Sequence, residues 1–182
     1  MKASTSSLDQ HPVVSQKKWL AARKRLLAKE KAFTHARERL AEERRALPWV
    51  KVEKSYVFNG PDGRETLTDL FAGRSQLVIY HFMYDPRKKE GCPGCSFWAD
   101  NFNGIIVHLN QRDVTMLAAS RAPLEKLDAF KARMGWSFKW VSSGESDFNY
   151  DYQVSYTDQD VKRGKAYHNY RENHPIGMRD CP

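Results

Sequence analysis

The 182-residue chain is 41% hydrophobic and 29% charged, with a formal charge of +8 and a low mean hydropathy. That is enough for one domain with a sizeable core plus an extension, while two full domains would be cramped and no apolar run approaches membrane-spanning length. Three cysteines, two of them in one motif, do not make a secreted disulfide framework, and no apolar signal segment follows Met1-Lys2-Ala3-Ser4, so a reducing cytoplasm is the expected compartment.

Residues 1–14 are polar, rich in Ser and without periodicity, and are expected to be poorly ordered. Ser15 can cap the segment that follows. From Gln16 to Leu47 the chain reads as one long amphipathic helix: Trp19, Leu26, Phe33, Leu40 and Leu47 recur every seven residues, with Leu20, Leu27, Ala22 and Ala36 widening the stripe, and Pro48 marks the end. Lys29 and Glu43 interrupt the second heptad seam, so this is not a regular coiled coil. The stripe can cover its own domain or pair with a second copy in a homodimer, and these two remain open. Residues 17–54 hold 13 of the 30 Lys and Arg but only 5 of the 22 Asp and Glu, so the two signs balance over the rest of the chain. The excess charge therefore describes one helix face, and neither nucleic acid nor a membrane is an expected partner.

Beyond Pro48, Val50-Lys51-Val52 and Tyr56-Val57-Phe58 are strand-like, and Asn59-Gly60-Pro61-Asp62-Gly63 is dense turn chemistry. A short helix over Leu67–Phe71 closes at Gly73, and Leu77–Phe82 reads as a buried-type strand. It leads to Gly91-Cys92-Pro93-Gly94-Cys95 and a helix expected to run to about Asn103-Gly104. Val114–Ser120 reads as a second buried strand, Pro123 opens a helix through Met134, and Gly135 stops it. Alternating strands and helices imply an α/β sandwich with parallel central strands and a site at their carboxyl ends, where Cys92 falls. The later aromatics, Trp136, Phe138, Trp140, Phe148, Tyr150, Tyr152 and Tyr156, are mostly expected to pack the core, and some could line a groove beside the cysteines.

A Cys-x-x-Cys at a helix start is the layout of a dithiol redox site. The thiolate is the nucleophile of disulfide exchange, and unpaired N–H groups at a helix N-terminus favour the charged sulfur. Cys92 sits where that field acts, with Arg87, Lys88 and Lys89 just upstream, partly offset by Glu90, so Cys92 is the expected attacker and the more acidic thiol. Cys95, one turn inside, is the resolver that breaks the mixed disulfide. Pro93 suits the first helical turn, and Gly94 lets a partner's sulfur come close. The rival reading of the motif is half a zinc site, but no second Cys-x-x-Cys or close His pair exists, only Cys181 or the loosely spaced His168 and His174. Neither a metal nor another cofactor is required. His81 and His108 are more simply structural than acid/base groups, and nothing in the spacing singles out Asp100 or Asp113 as a proton acceptor.

The run Tyr56-Val57-Phe58, Asp62-Gly63-Arg64, Leu67-Thr68-Asp69-Leu70-Phe71, Gly73-Arg74, Leu77–Phe82 and Cys92–Cys95 resembles the opening of thioredoxin-like proteins of the peroxiredoxin and thiol-disulfide oxidoreductase type. More closely, His11-Pro12-Val13-Val14, Ala46-Leu47-Pro48-Trp49-Val50, Cys92 through Asp100, Ser120-Arg121-Ala122-Pro123-Leu124 and Met134-Gly135-Trp136-Ser137-Phe138 are similar to the bacterial family catalogued as domain of unknown function 899. This resemblance covers nearly the whole chain. It implies a thioredoxin-like sandwich, with a central sheet flanked by helices, and a dithiol-disulfide oxidoreductase activity.

The resemblance also implies that related proteins continue past the segment like Gly164–Arg171 into a β-hairpin and a last helix. The chain is accordingly expected to lack them and to leave a sheet edge exposed, with Cys181 in an irregular tail where it could serve as an extra resolving thiol. The expected organisation is a disordered 1–14, a helical extension over 15–48 and a thioredoxin-like domain over 49–182. The expected function is cytosolic thiol-disulfide exchange through Cys92 and Cys95 on a disulfide-containing protein or a small-molecule thiol substrate. The alternatives are a peroxiredoxin-like peroxidase, whose Pro-x-x-x-Thr-x-x-Cys pattern is replaced here by Asp85 and Lys89, and a non-catalytic interaction module.

Overall fold

The computed structural model describes residues 11–168 and 170–173, so the expectation of disorder over most of 1–14 and the roles considered for His174 and Cys181 lie outside the described residues. The chain divides into two compact units, Met1–Val52 and Glu53–Pro182. In the first, helix α1 spans Gln16–Arg45, with Ser15 as its N-cap accepting from the Lys18 N–H at 3.4 Å. None of its residues is buried: Trp19, Leu26, Phe33 and Leu40 are exposed, as is Leu47 just beyond its end. The strand expected at Val50-Lys51-Val52 does not form. Those residues end the helical unit, in which no strand is available among the described residues to pair with them.

The second unit is a three-layer sandwich. Strands β1 (Val57–Gly60) and β2 (Gly63–Thr66) make the hairpin that the Gly60–Gly63 turn chemistry requires, and a single 3-10 turn, Asp69–Phe71, replaces the expected short helix. Strands β3 (Gln76–His81), β4 (Val114–Ser120) and β5 (Trp140–Ser142) are parallel to one another, and the sheet order is β2-β1-β5-β4-β3. Helix α4 (Leu124–Met134) returns the chain from β4 to β5, opened by Pro123 and stopped by Gly135, whose φ of 68° favours glycine. Short helices α5 (Phe148–Asp151) and α6 (Asp158–Arg163) follow, then a separate hairpin of β6 (Ala166–His168) and β7 (Arg171–Asn173). Among the described residues this hairpin does not join the main sheet, so β3 is its outer strand. Its sequence reads as buried on both faces, yet Val78 is 44% exposed. This is the thioredoxin-like α/β sandwich that the sequence implies. No helix of the described residues is long and apolar enough to cross a membrane.

The pleat divides the core in two. On one face Phe82 and Ala118 join Cys95, Ala99, Phe102, Leu127, Phe130, Trp136, Phe138 and Trp140, with Tyr80 packed against them. On the other, Leu117, Ala119 and Val141 meet Tyr56, Phe58, Leu70 and Phe148, with Leu77 and Ile79 alongside. Trp136, Phe138, Trp140 and Phe148 are thus the core packing expected of them, while Tyr152 is 43% exposed.

One boundary differs in an informative way. The helix after the cysteines is two helices, α2 (Pro93–Ala99) and α3 (Phe102–Asn110), with Gly104 inside the second rather than at an end. The break falls at Asp100-Asn101. There the Asn101 side chain donates to the carbonyls of Phe97 and Trp98, and Asp100 accepts the Trp136 indole N–H at 2.9 Å, a partner thirty-six residues away that no local pattern announces.

Candidate redox site

The parallel strands end together, and the loop leaving β3 is folded back on itself. Phe82 N–H still donates to Ala119 O at 2.9 Å, and the loop then closes through Cys92 N–H donating to Met83 O at 3.0 Å. Between these points the Tyr84 hydroxyl donates to Lys89 O at 2.8 Å, and Lys126 donates to the carbonyls of Pro86 and Lys88 from α4. Asp85 is 3% exposed, a buried carboxylate that the sequence did not single out. It receives the Arg87 backbone N–H at 2.7 Å and a guanidinium fork at 2.9 and 2.6 Å, and that pairing with Arg87 holds it below the usual carboxylate range. Arg87, expected to bias the nearby thiol, is therefore committed to Asp85. Gly91 is required by close approach: a Cβ there would lie 2.7 Å from the Phe82 ring.

Cys92 is the N-cap of α2, in extended conformation, with its carbonyl accepting from the Ser96 N–H at 2.9 Å and the Ser96 hydroxyl at 3.0 Å. Pro93 takes the first helical position. Cys92 is partly exposed and Cys95 buried, and both are free thiols. Burial pushes the Cys95 thiol up. The two cysteines are thus one helical turn apart, one partly facing solvent and one packed behind it. On the outward side of α2, Phe97 and Trp98 are 70% and 63% exposed.

The other candidates sit apart from this pair. Asp113 holds the Ser75 backbone N–H and hydroxyl at the opposite ends of β3 and β4, several strand residues from Cys92. Asp100 anchors Trp136. His108 lies in α3, and His81 stacks on Phe148 at 5.3 Å, on the sheet face away from the cysteines. Among the described residues no three His, Cys, Asp or Glu side chains come together as a metal site. Tyr80, and Asp85 as the buried partner of Arg87, are the residues beside the site that sequence reasoning passed over. Tyr80 left a signal: strand alternation puts it on the Phe82 face, and a tyrosine inside an apolar run needs a partner for its hydroxyl.

The chain matches the family described as bacterial protein of unknown function (DUF899) over residues 8–179. A curated relative, peroxiredoxin Bcp of Xanthomonas campestris, is 30% identical over 83 residues, covering 46% of this chain; the chain spans about half the length of that protein, 48%. Among solved structures, the bacterioferritin comigratory protein of Xanthomonas campestris aligns at 25% identity and a TM-score of 0.44, over 54% of this chain and 59% of that one. The peroxiredoxin Q of Xylella fastidiosa aligns at 21% identity and a TM-score of 0.47, over 62% and 71%.

Proposed function

The chain belongs to the bacterial family DUF899, and on that premise we propose that it carries out thiol-disulfide exchange through Cys92 and Cys95. The observation that carries this reading is the pairing of a partly exposed N-cap cysteine with a buried one a single helical turn further on. Cys92, as thiolate, attacks a disulfide on a protein or small molecule and expels one thiolate. Cys95 loses its proton and attacks the Cys92 sulfur; the mixed disulfide breaks, and the released thiolate takes up a proton from solvent. The substrate is reduced and the Cys92–Cys95 pair oxidised.

The test is turnover of a model disulfide with mass spectrometry of the pair. Mild oxidation should link Cys92 to Cys95, Cys92→Ser should abolish attack, and Cys95→Ser should trap the mixed species. A Cys92→Ser variant that still reduces disulfides overturns the assignment.

A second reading, a peroxidase, is favoured by the similarity to peroxiredoxin Bcp. In that chemistry Cys92 is oxidised by a peroxide to a sulfenic acid, which Cys95 condenses to the disulfide with loss of water. Against it stand Lys89 and Asp85 at the positions where the peroxidase pattern has Thr and Pro. Peroxide consumption that depends on Cys92 and outpaces disulfide reduction would select this reading.

A further inference from the structure

Resting on the exchange reading above, we propose that Phe97 and Trp98 form the docking surface for the substrate, and that the substrate is a polypeptide disulfide with an apolar or aromatic side chain two or three residues from its reactive cysteine. Helix α2 divides sharply by face: Cys95, Ser96 and Ala99 are buried, while Gly94, Phe97 and Trp98 are exposed. Of all the Phe and Trp residues in Glu53–Pro182, these two alone are exposed. The unit that takes its other large rings at least partly inside thus leaves a pair in water, on the helix that begins at its reactive thiol.

The surface is continuous with the Cys92 sulfur. Apart from its two neighbours and the backbone of its own helix, a Cβ added at Gly94 would meet only Cys92 Sγ among the described residues, at 3.8 Å, so the sulfur borders the open surface over Gly94. Phe97 and Trp98 follow Gly94 by three and four residues, which in a helix sets all three along one strip. Helical side chains lean toward the N-terminus, so both rings lie toward the turn that holds Gly94, on the Cys92 side. They meet edge to face with centroids 6.1 Å apart and form one apolar platform.

That continuity selects the occupant. A permanent cover, such as a second copy of this chain, would sit beside Cys92 and close the approach that exchange requires, whereas a substrate covers the rings only while its disulfide reacts. At about 1.5 Å per residue along the helix, the rings belong to positions about 8–9 Å beyond Cys92. An extended polypeptide spans that distance in two or three residues, so a side chain at that separation from its cysteine reaches the platform.

The test uses the full chain carrying Cys95→Ser and Cys181→Ser, in which Cys92 is the remaining cysteine, and two synthetic heptapeptides with a central cysteine. One has Phe at the second and third positions on either side of the cysteine, the other has Gly throughout, and each is joined by a disulfide to thionitrobenzoate. The Cys92 thiolate attacks the peptide sulfur, a Cys92–peptide disulfide forms, and the more acidic, coloured thionitrobenzoate leaves. The aromatic peptide should react about tenfold faster than the glycine peptide, the order expected of an aromatic contact or two. With Phe97→Ser and Trp98→Ser added, the two rates should converge; Trp98→Ser alone should lose part of the preference and decides the question if the double substitution folds poorly. Equal rates before substitution, or a preference that survives it, overturn the docking surface and leave the exchange reading standing. No release from either peptide overturns the exchange reading and the surface with it. A dimer of the unsubstituted chain in sedimentation that Phe97→Ser and Trp98→Ser dissociate assigns the rings to an interface between copies and overturns the proposal as well.

Discussion

The two units use the same kinds of residue to opposite ends. In α1, Trp19 and Phe33 recur with helical spacing and are 51% and 64% exposed; in the sheet unit, Trp140 and Phe148 are 0% and 1% exposed. Periodicity announces α1, because it reports which side chains share a face. It does not report whether anything covers that face. Burial is decided by partners distant in sequence, and the predictions below test that contrast by removing groups from the covered region first and the uncovered one last.

The largest effect belongs to Trp140→Ala. Its ring lies 4.6 Å from Phe82 and within 6.4 Å of Tyr84, Phe130, Trp136 and Phe138, and its indole N–H donates to the Ser120 hydroxyl at 3.0 Å. Truncation should cost about 3–5 kcal/mol in urea unfolding, the range for an aromatic removed from a packed core. A loss below about 1 kcal/mol would mean that this cluster is not the cooperative core.

Gly91→Ala comes next and ties packing to chemistry. The added methyl would meet the Phe82 ring at 2.7 Å and Phe130 at 3.3 Å, both parts of the cysteine-bearing core. Overpacking of this kind should destabilise by about 1–3 kcal/mol. Because Cys92 N–H closes the same loop on Met83 O, alkylation of Cys92 should change in rate as well. An unaltered rate beside a lower stability would show that the loop yields elsewhere and leaves Cys92 in place.

Much of this architecture was legible because its signals are local. Pro123 and Gly135 bracket α4 by backbone rules, Cys92-Pro93 writes a helix start, and Gly60 to Gly63 writes a hairpin turn. What escaped depends on contacts across the fold. The end of α2 answers to Trp136, the edge position of β3 to which strands pair with it, and the burial of Cys95 to the aromatic cluster that packs around it. Arg87 reads in sequence as a cation beside a thiol, whereas its partner is the buried Asp85. Val50-Lys51-Val52 has strand composition and no strand, since composition alone supplies no neighbour.

His81 gives a smaller, pH-dependent effect on the second core. Its Nδ1 is buried without a hydrogen-bond partner while its ring stacks on Phe148, and burial lowers its pKa. The unfolded residue titrates near 6.5. Between that value and the lower folded one the unfolded chain binds more protons, so stability rises with pH across the window and is lost as pH falls below about 6.5. His81→Phe keeps a ring on Phe148 and leaves nothing to protonate. The difference in urea midpoint between neutral and mildly acidic pH should shrink in this variant, and an identical difference would assign the acid loss to other groups.

The smallest effect is expected where the sequence pattern looks strongest. Phe33 sits at the middle of the seven-residue stripe of α1, and its described neighbour is the Arg37 guanidinium, 5.8 Å over its ring. With the side chain 64% exposed, Phe33→Ala removes little buried area, and replacing a phenylalanine by alanine favours a helix. The unfolding midpoint should therefore move by less than the equivalent of about 0.5 kcal/mol, the usual range for a surface substitution. The same variant reads the other possibility left by the sequence, that the stripe pairs with a second copy. A stripe covered by a second copy would make the loss larger than about 1 kcal/mol, dependent on protein concentration and accompanied by a smaller sedimenting species, whereas one that covers its own domain would make it as large but independent of concentration. A small, concentration-independent change keeps α1 as an uncovered helix whose regular spacing shapes the element without adding to the core.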